Sequence, residues 1–174
     1  NNTVVGRGAL YTSTAAVGCV AIGHQAMYGG TATQAGTVAI GKSALNALTS
    51  GAGNVAVGMN TLLVNDTGYY NTAIGYEGLK ACVGGAANTA LGYQTLLANT
   101  GNNNTGVGFQ SLKTNSSGGQ NTAVGQESLF TNATASQNTA MGHQAGYTTT
   151  GSSNTYVGHY AGKGAAGAES ECVG

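Results

Sequence analysis

A bulky aliphatic residue stands directly before a glycine eleven times along this chain, and successive glycines are 16 to 18 residues apart. The glycines are Gly6, Gly23, Gly41, Gly58, Gly75, Gly92, Gly108, Gly125, Gly142, Gly158 and Gly174, preceded by Val5, Ile22, Ile40, Val57, Ile74, Leu91, Val107, Val124, Met141, Val157 and Val173. One place earlier the residue is small, as at Ala21, Ala39, Ala56, Ala73, Ala90, Gly106, Ala123 and Ala140, with Val4, Tyr156 and Cys172 as exceptions. Four places after the glycine comes Leu10, Met27, Leu45, Leu62, Leu79, Leu96, Leu112 or Leu129, replaced by Gly146 and Gly162 in the last two full units. A fixed period of this kind marks one structural unit stacked on copies of itself.

The period selects strands over helices. A helical solenoid unit needs two helices and over about 30 residues, which a glycine-rich unit of this length cannot supply. The short Thr-Ala-Val segments therefore predict one parallel strand per coil. The expected fold is all-β, a parallel β-solenoid or β-roll of about ten coils, rising ~4.8 Å per coil and ~48 Å in all. Residues 1–162 form the repeat array. Residues 163–174 lose the asparagine and leucine of the unit, gain Glu169 and Glu171, and read as an atypical last repeat or junction. A left-handed hexapeptide β-helix is a competitor, because Val57 to Leu62 fits one hexapeptide; the aliphatics it needs six and twelve residues after Ile74 fall on Lys80 and Ala86.

Neighbouring strand positions face opposite sides, so the aliphatic and alanine files cannot share one interior. The expectation is that the aliphatic and leucine files fill each coil, while the alanine file packs on an identical chain. About two large apolar groups per coil make a thin core, which self-association would thicken. A homotrimer, intertwined or side by side, is the expected assembly. The chain opens and closes in mid-unit, which also fits one link of a polymer or a segment of something longer.

The aliphatic core residues are few. Leu, Ile, Val and Phe make up only 29 of 174 residues, and 6% of residues are charged with a net charge of zero. The low charge keeps this composition away from disorder. Lacking a basic stripe to displace counterions from phosphate, the chain is not expected to bind nucleic acid. Its longest apolar run, Ala15 to Ile22, is interrupted by Gly18 and too short to span a bilayer.

The repeating phrase itself, Asn71 to Gly75, Asn88 to Gly92, Asn121 to Gly125 and Asn138 to Gly142, resembles the Ala-Ile-Gly repeats in the head domains of trimeric autotransporter adhesins. The fuller phrase, with Gln-Thr-Leu or Gln-Ser-Leu after the glycine and the Asn/Thr/Gly-rich return seen from Gly92 to Asn104, resembles repeats of bacteriophage tail fibres. The resemblance implies a three-chain β-roll, an extracellular location on a virion fibre or cell surface, and attachment to a host or cell surface through multivalent weak contacts with glycan or protein. The alternative reading is a subunit of a self-assembling extracellular filament.

Candidate chemistry is sparse. Asn54, Asn71, Asn88, Asn104, Asn121 and Asn138, four places before the glycine, read as a structural ladder of stacked amides that also satisfies turn backbone. The varied file after the glycine is Arg7, His24, Lys42, Met59, Tyr76, Tyr93, Phe109, Gln126, His143 and His159, and its variety predicts an outward face. Tyr76, Tyr93 and Phe109 on successive rungs offer a surface or glycan contact, or a stabilising aromatic ladder. His143 and His159 would hold a metal only if they pointed inward around a trimer axis, so no metal or other cofactor is expected. A threonine file (Thr3, Thr72, Thr89, Thr105, Thr122, Thr139, Thr155) could order water, but it is single. Gly51, Gly68, Gly85, Gly101, Gly118, Gly151 and Gly167 read as return turns at positive φ. Cys19, Cys82 and Cys172 occupy different places in the unit and predict no staple. The sequons at Asn1, Asn65, Asn103, Asn115 and Asn132 are what an Asn/Thr-rich chain contains by chance. With Asp66 as the only aspartate and no paired carboxylates among Glu77, Glu127, Glu169 and Glu171, an enzyme is not expected.

Overall fold

The computed structural model describes residues 1–13, 15–29 and 35–164. Most of the expected junction, including Gly167, Glu169, Glu171, Cys172, Val173 and Gly174, lies outside the described residues. Ten three-residue strands occur: β1 (Thr3–Val5), β2 (Val20–Ile22), β3 (Val38–Ile40), β4 (Val55–Val57), β5 (Thr72–Ile74), β6 (Thr89–Leu91), β7 (Thr105–Val107), β8 (Thr122–Val124), β9 (Thr139–Met141) and β10 (Thr155–Val157). They form one parallel sheet in chain order. Its register stacks like on like: Ala73 pairs with Ala56 and Ala90, and Ile74 with Val57 and Leu91. The chain is therefore an all-β solenoid with one short strand per coil and no helix among the described residues. A hexapeptide β-helix, which would need three strands per turn, is excluded by this single sheet.

Backbone pairing continues beyond the strands. Leu62, Leu79 and Leu96 donate their amides to Gly78, Thr95 and Ser111 carbonyls of the next coil at 3.0 to 3.1 Å. Thr72, Thr89 and Thr105 donate in the same direction to Asn88, Asn104 and Asn121. Coil-to-coil bonds of this kind satisfy turn backbone that a thin rod could not otherwise shelter.

The core is made of the alanine and leucine files. Ala21, Ala39, Ala56, Ala73, Ala90, Ala123 and Ala140 are fully buried, as are Leu45, Leu62, Leu79, Leu96, Leu112 and Leu129. This reverses the expected sidedness. The alanines are sealed inside their own chain, and the aliphatic file faces out, with Ile74 at 40%, Leu91 at 46% and Met141 at 47% exposure. The cause is width. Each coil is narrow enough that a leucine from one wall meets the opposite strand with room left for only a methyl group, so a valine or isoleucine there would overpack.

The leucines reach that position from a left-handed backbone, with φ of 49° at Leu62 and 53° at Leu96. Such a conformation costs a non-glycine residue ~1–2 kcal/mol, whereas burying a leucine side chain stabilises by ~1.5–3 kcal/mol. Burial wins, and the strained turn persists.

One exchange shows the filling rule directly. Where leucine gives way to Gly146 and Gly162, the alanine file carries Tyr156, which is 1% exposed. A Cβ on Gly146 would lie 2.8 Å from Tyr156 Cδ2, and one on Gly162 would run into the same ring. A single tyrosine therefore occupies the volume of two missing leucines.

The return glycines also differ from expectation. Gly51, Gly68, Gly85, Gly101, Gly118 and Gly151 are not among the residues with positive φ. Gly51, Gly68, Gly85, Gly101 and Gly118 are glycine because the coils touch there: a Cβ on Gly85 would sit 2.6 Å from Gly101 O and 2.9 Å from Cys82 Sγ.

Candidate functional site

The polar interior accounts for the asparagines. Asn71, Asn88, Asn104, Asn121 and Asn138 each donate a backbone N–H to the Oδ1 of the ladder residue one coil earlier, at 2.9 to 3.0 Å. Their Nδ2 atoms donate to return-turn carbonyls, such as Asn71 to Gly85 at 2.7 Å and Asn104 to Gly118 at 2.8 Å. Asn54, which begins this run, donates to Gly68 O at 2.8 Å. All six side chains are buried and so hold backbone instead of ligand.

A second buried ladder escapes the sequence reading. Asn65, Asn99, Asn115 and Asn132 lie seven residues after the motif glycines, fully buried, with Asn115 Nδ2 donating to Asn99 Oδ1 at 2.6 Å and Asn132 Nδ2 to Asn115 Oδ1 at 3.1 Å. Its signal was the recurrence of Asn at that offset, broken by Leu48, Cys82 and Thr149. Cys82 thus takes a ladder position, and burial pushes its thiol up to about 11. Cys19 takes a place in the first ladder and is equally buried. Three of the sequons, at Asn65, Asn115 and Asn132, are ladder amides closed to modification.

The ladders predict a measurable cost. Asn88→Ala would strand the buried Asn104 amide, whose partner is the Asn88 Oδ1 at 2.9 Å, and would remove the Asn88 Nδ2 bonds to Asn71 Oδ1 and the Gly101 carbonyl, which keep the Asn88 backbone N–H and Asn99 Nδ2 as donors. The expected loss is about 1–3 kcal/mol, measured by denaturant unfolding. Thr89→Ala on the outward side should change little, and equal costs for the two would remove the ladder's special role.

Chemistry is left to the outward files. On the sheet's outer face the threonine and valine file runs beside the aliphatic file, so the hydroxyl row has an apolar neighbour and no second hydroxyl row. Beyond the motif glycines comes the varied file. In it Tyr76, Tyr93 and Phe109 are 37 to 45% exposed and stack plane on plane, with centroids 5.3 and 5.2 Å apart and interplanar angles of 8° and 7°. Both faces of Tyr93 are thus used by its neighbours, leaving ring edges and end faces for any sugar. His143 and His159 also stack, at 5.1 Å, instead of converging on a point. Among the described residues no three His, Cys, Asp or Glu side chains gather as a metal site.

One place after the leucine file lies another aromatic file that the sequence reading missed. Tyr11 and Tyr28 stack at 5.4 Å, and Phe130 and Tyr147 at 5.1 Å. Between the two aromatic files runs a polar string. Gln94 Nε2 donates to Glu77 Oε2 at 3.0 Å, Gln110 Nε2 to Gln94 Oε1 at 2.9 Å, and Lys80 Nζ to Glu77 Oε1 at 2.8 Å. The Lys80 bond, followed by that from Gln94, holds the Glu77 carboxyl below its ordinary value. At the first two coils the files bound a groove of about 310 Å³, lined by Arg7, Gly8, Tyr11, His24, Gln25 and Tyr28.

Comparisons with protein-family models, with curated proteins and with solved structures give no match to this chain.

Proposed function

We propose that this chain is a structural fibre module of a phage tail fibre or cell-surface adhesin, located outside the cell, that associates as a homotrimer and mediates attachment by repeated weak contacts. The observation that carries the reading is the outward aliphatic ribbon. Val5, Ile22, Ile40, Val57, Ile74, Leu91, Val107, Val124, Met141 and Val157 follow one another up a regular parallel sheet, and Val5, Ile74, Leu91, Met141 and Val157 are exposed. A contiguous apolar strip ~43 Å long, nine strand spacings of ~4.8 Å, is the kind of surface that marks an interaction site on a soluble protein.

Periodicity favours an identical partner. Only a surface with the same rise per coil keeps each aliphatic group opposite another over the whole length, and a second copy of the chain has that rise by construction. The repeat resemblance favours three copies. Many identical rungs on a stiff rod would then multiply modest single contacts into firm attachment.

Light scattering or sedimentation equilibrium tests the reading. The expected mass is three times the 17.0 kDa of one chain. Replacing both Ile74 and Leu91 by glutamate should return the protein to single chains without loss of β-structure by circular dichroism. A wild-type mass of one chain at every concentration would overturn the trimer, and a mass that keeps growing with concentration would identify a filament subunit instead.

A further inference from the structure

The groove at the first two coils differs chemically from the rest of the rod. Arg7, His24 and Lys42 follow one another on three successive coils of the varied file, and all three are exposed. No aspartate or glutamate precedes Asp66 in the chain. The ion pair found among the described residues joins Lys80 to Glu77, several coils away. The Arg7 guanidinium is therefore an unneutralised cation on the groove wall, where an anion has no fixed carboxylate to compete with.

The groove's shape comes from one substitution in the repeat. Two places after the motif glycine every other described coil carries a side chain: Gln25, Ser43, Asn60, Glu77, Gln94, Gln110, Glu127, Gln144 and Tyr160. In the first coil this place is Gly8, at φ of 69°, and a Cβ there would come within 3.3 Å of the Tyr28 ring and 3.5 Å of Gln25 Cγ. Its bareness opens a floor between Arg7 and His24 on one side and the stacked Tyr11 and Tyr28 on the other. Tyr11 is 70% exposed, the most exposed of the large hydrophobic side chains.

We propose that this groove binds an acidic saccharide, a sugar residue bearing a carboxylate or sulfate. The acid group would pair with Arg7, since guanidinium matches planar and tetrahedral oxyanions through paired N–H donors. The sugar ring would lie against Tyr11, an aromatic body with a polar tip suited to an amphipathic partner. Gln25 supplies an amide donor and acceptor for ring hydroxyls, and Lys42 on the third coil extends the positive file for the next sugar. Arg7 and Tyr11 are the residues expected to carry affinity and ring recognition respectively.

The site deepens the attachment reading and rests on it for the origin of the ligand, but it needs only one chain. Isothermal titration of the intact protein with a heparin-derived tetrasaccharide, a sialic acid oligomer, uncharged N-acetyllactosamine and inorganic sulfate tests it. Saturable binding of either acidic oligosaccharide, weakened by added salt, is expected, and which one binds identifies the acid group that is read. Arg7→Gln should weaken binding at least tenfold, and Tyr11→Ala should weaken oligosaccharide binding, while Lys113→Gln on a distant coil leaves both unchanged. Circular dichroism confirms that the variants fold. The site is overturned if neither acidic oligosaccharide binds, if Arg7→Gln binds like wild type, if inorganic sulfate binds as tightly as the oligosaccharide, or if a single-stranded oligonucleotide competes equally well. A single-chain mass with saccharide binding retained would sink the trimer alone, and a trimer without saccharide binding would sink the groove alone.

Discussion

Gly108→Ala is expected to break the solenoid in the middle, lowering stability by more than about 4 kcal/mol, the range reserved for a few severe mechanisms. Two of those act at once. The φ of Gly108 is 129°, which side-chain-bearing residues rarely adopt, and an added Cβ would stand 2.7 Å from the Gly125 carbonyl oxygen and 3.2 Å from the Gln126 amide nitrogen. The obstacle is backbone of the next coil, so no side-chain rotation relieves it. Because each coil contacts only its neighbours, the damage stays at that junction. Denaturant unfolding should therefore separate into two transitions, one for the coils on each side, and hydrogen exchange should show lost protection for the Gly125 and Thr105 amides, which bond across that junction to the Val107 and Asn121 carbonyls. A variant that unfolds in one transition at the wild-type midpoint would show that the coils can spread apart at no cost, against the stacking described here.

Tyr156→Ala is expected to cost about 3–5 kcal/mol, the usual range for truncating a buried aromatic residue. Its more informative form is a cycle. Gly146→Leu and Gly162→Leu introduced beside Tyr156 should each destabilise, since both side chains would enter space the ring holds. Combined with Tyr156→Ala, they rebuild the alanine-and-leucine pairing of the earlier coils, and their backbones already have the φ of 58° and 63° close to that which leucines adopt elsewhere in the chain. Most of the lost stability should return. Coupling of this sign arises only between residues that share one volume. Additive costs, measured by thermal or chemical unfolding, would show that the ring and the leucines do not compete for it.

The parts of the molecule that were legible in the sequence are those set by spacing. The period located all ten strands, because a glycine with an extreme φ must recur once per coil and the strand precedes it. The Asn54 to Asn138 file could be placed for the same reason, since an amide repeated at one register stacks on itself. Asn65, Asn99, Asn115 and Asn132 carried the same kind of signal in a weaker form, interrupted by Leu48, Cys82 and Thr149. The groove was not legible at all. Arg7 and Tyr11 are four residues apart and meet around a bare Gly8 only because the chain turns there.

What the sequence alone determined is the unit, its length, its strand and the identity of its columns, since these follow from periodicity and from the backbone demands of glycine. Which column faces inward was decided by tertiary structure. Alternation says only that Ala73 and Ile74 point to opposite sides. The choice between them depends on the distance to the opposite wall, where Leu79 already fills the coil and leaves room for a methyl group. The aliphatic ribbon was thereby turned outward, and the exposed apolar face is the bulky file instead of the small one.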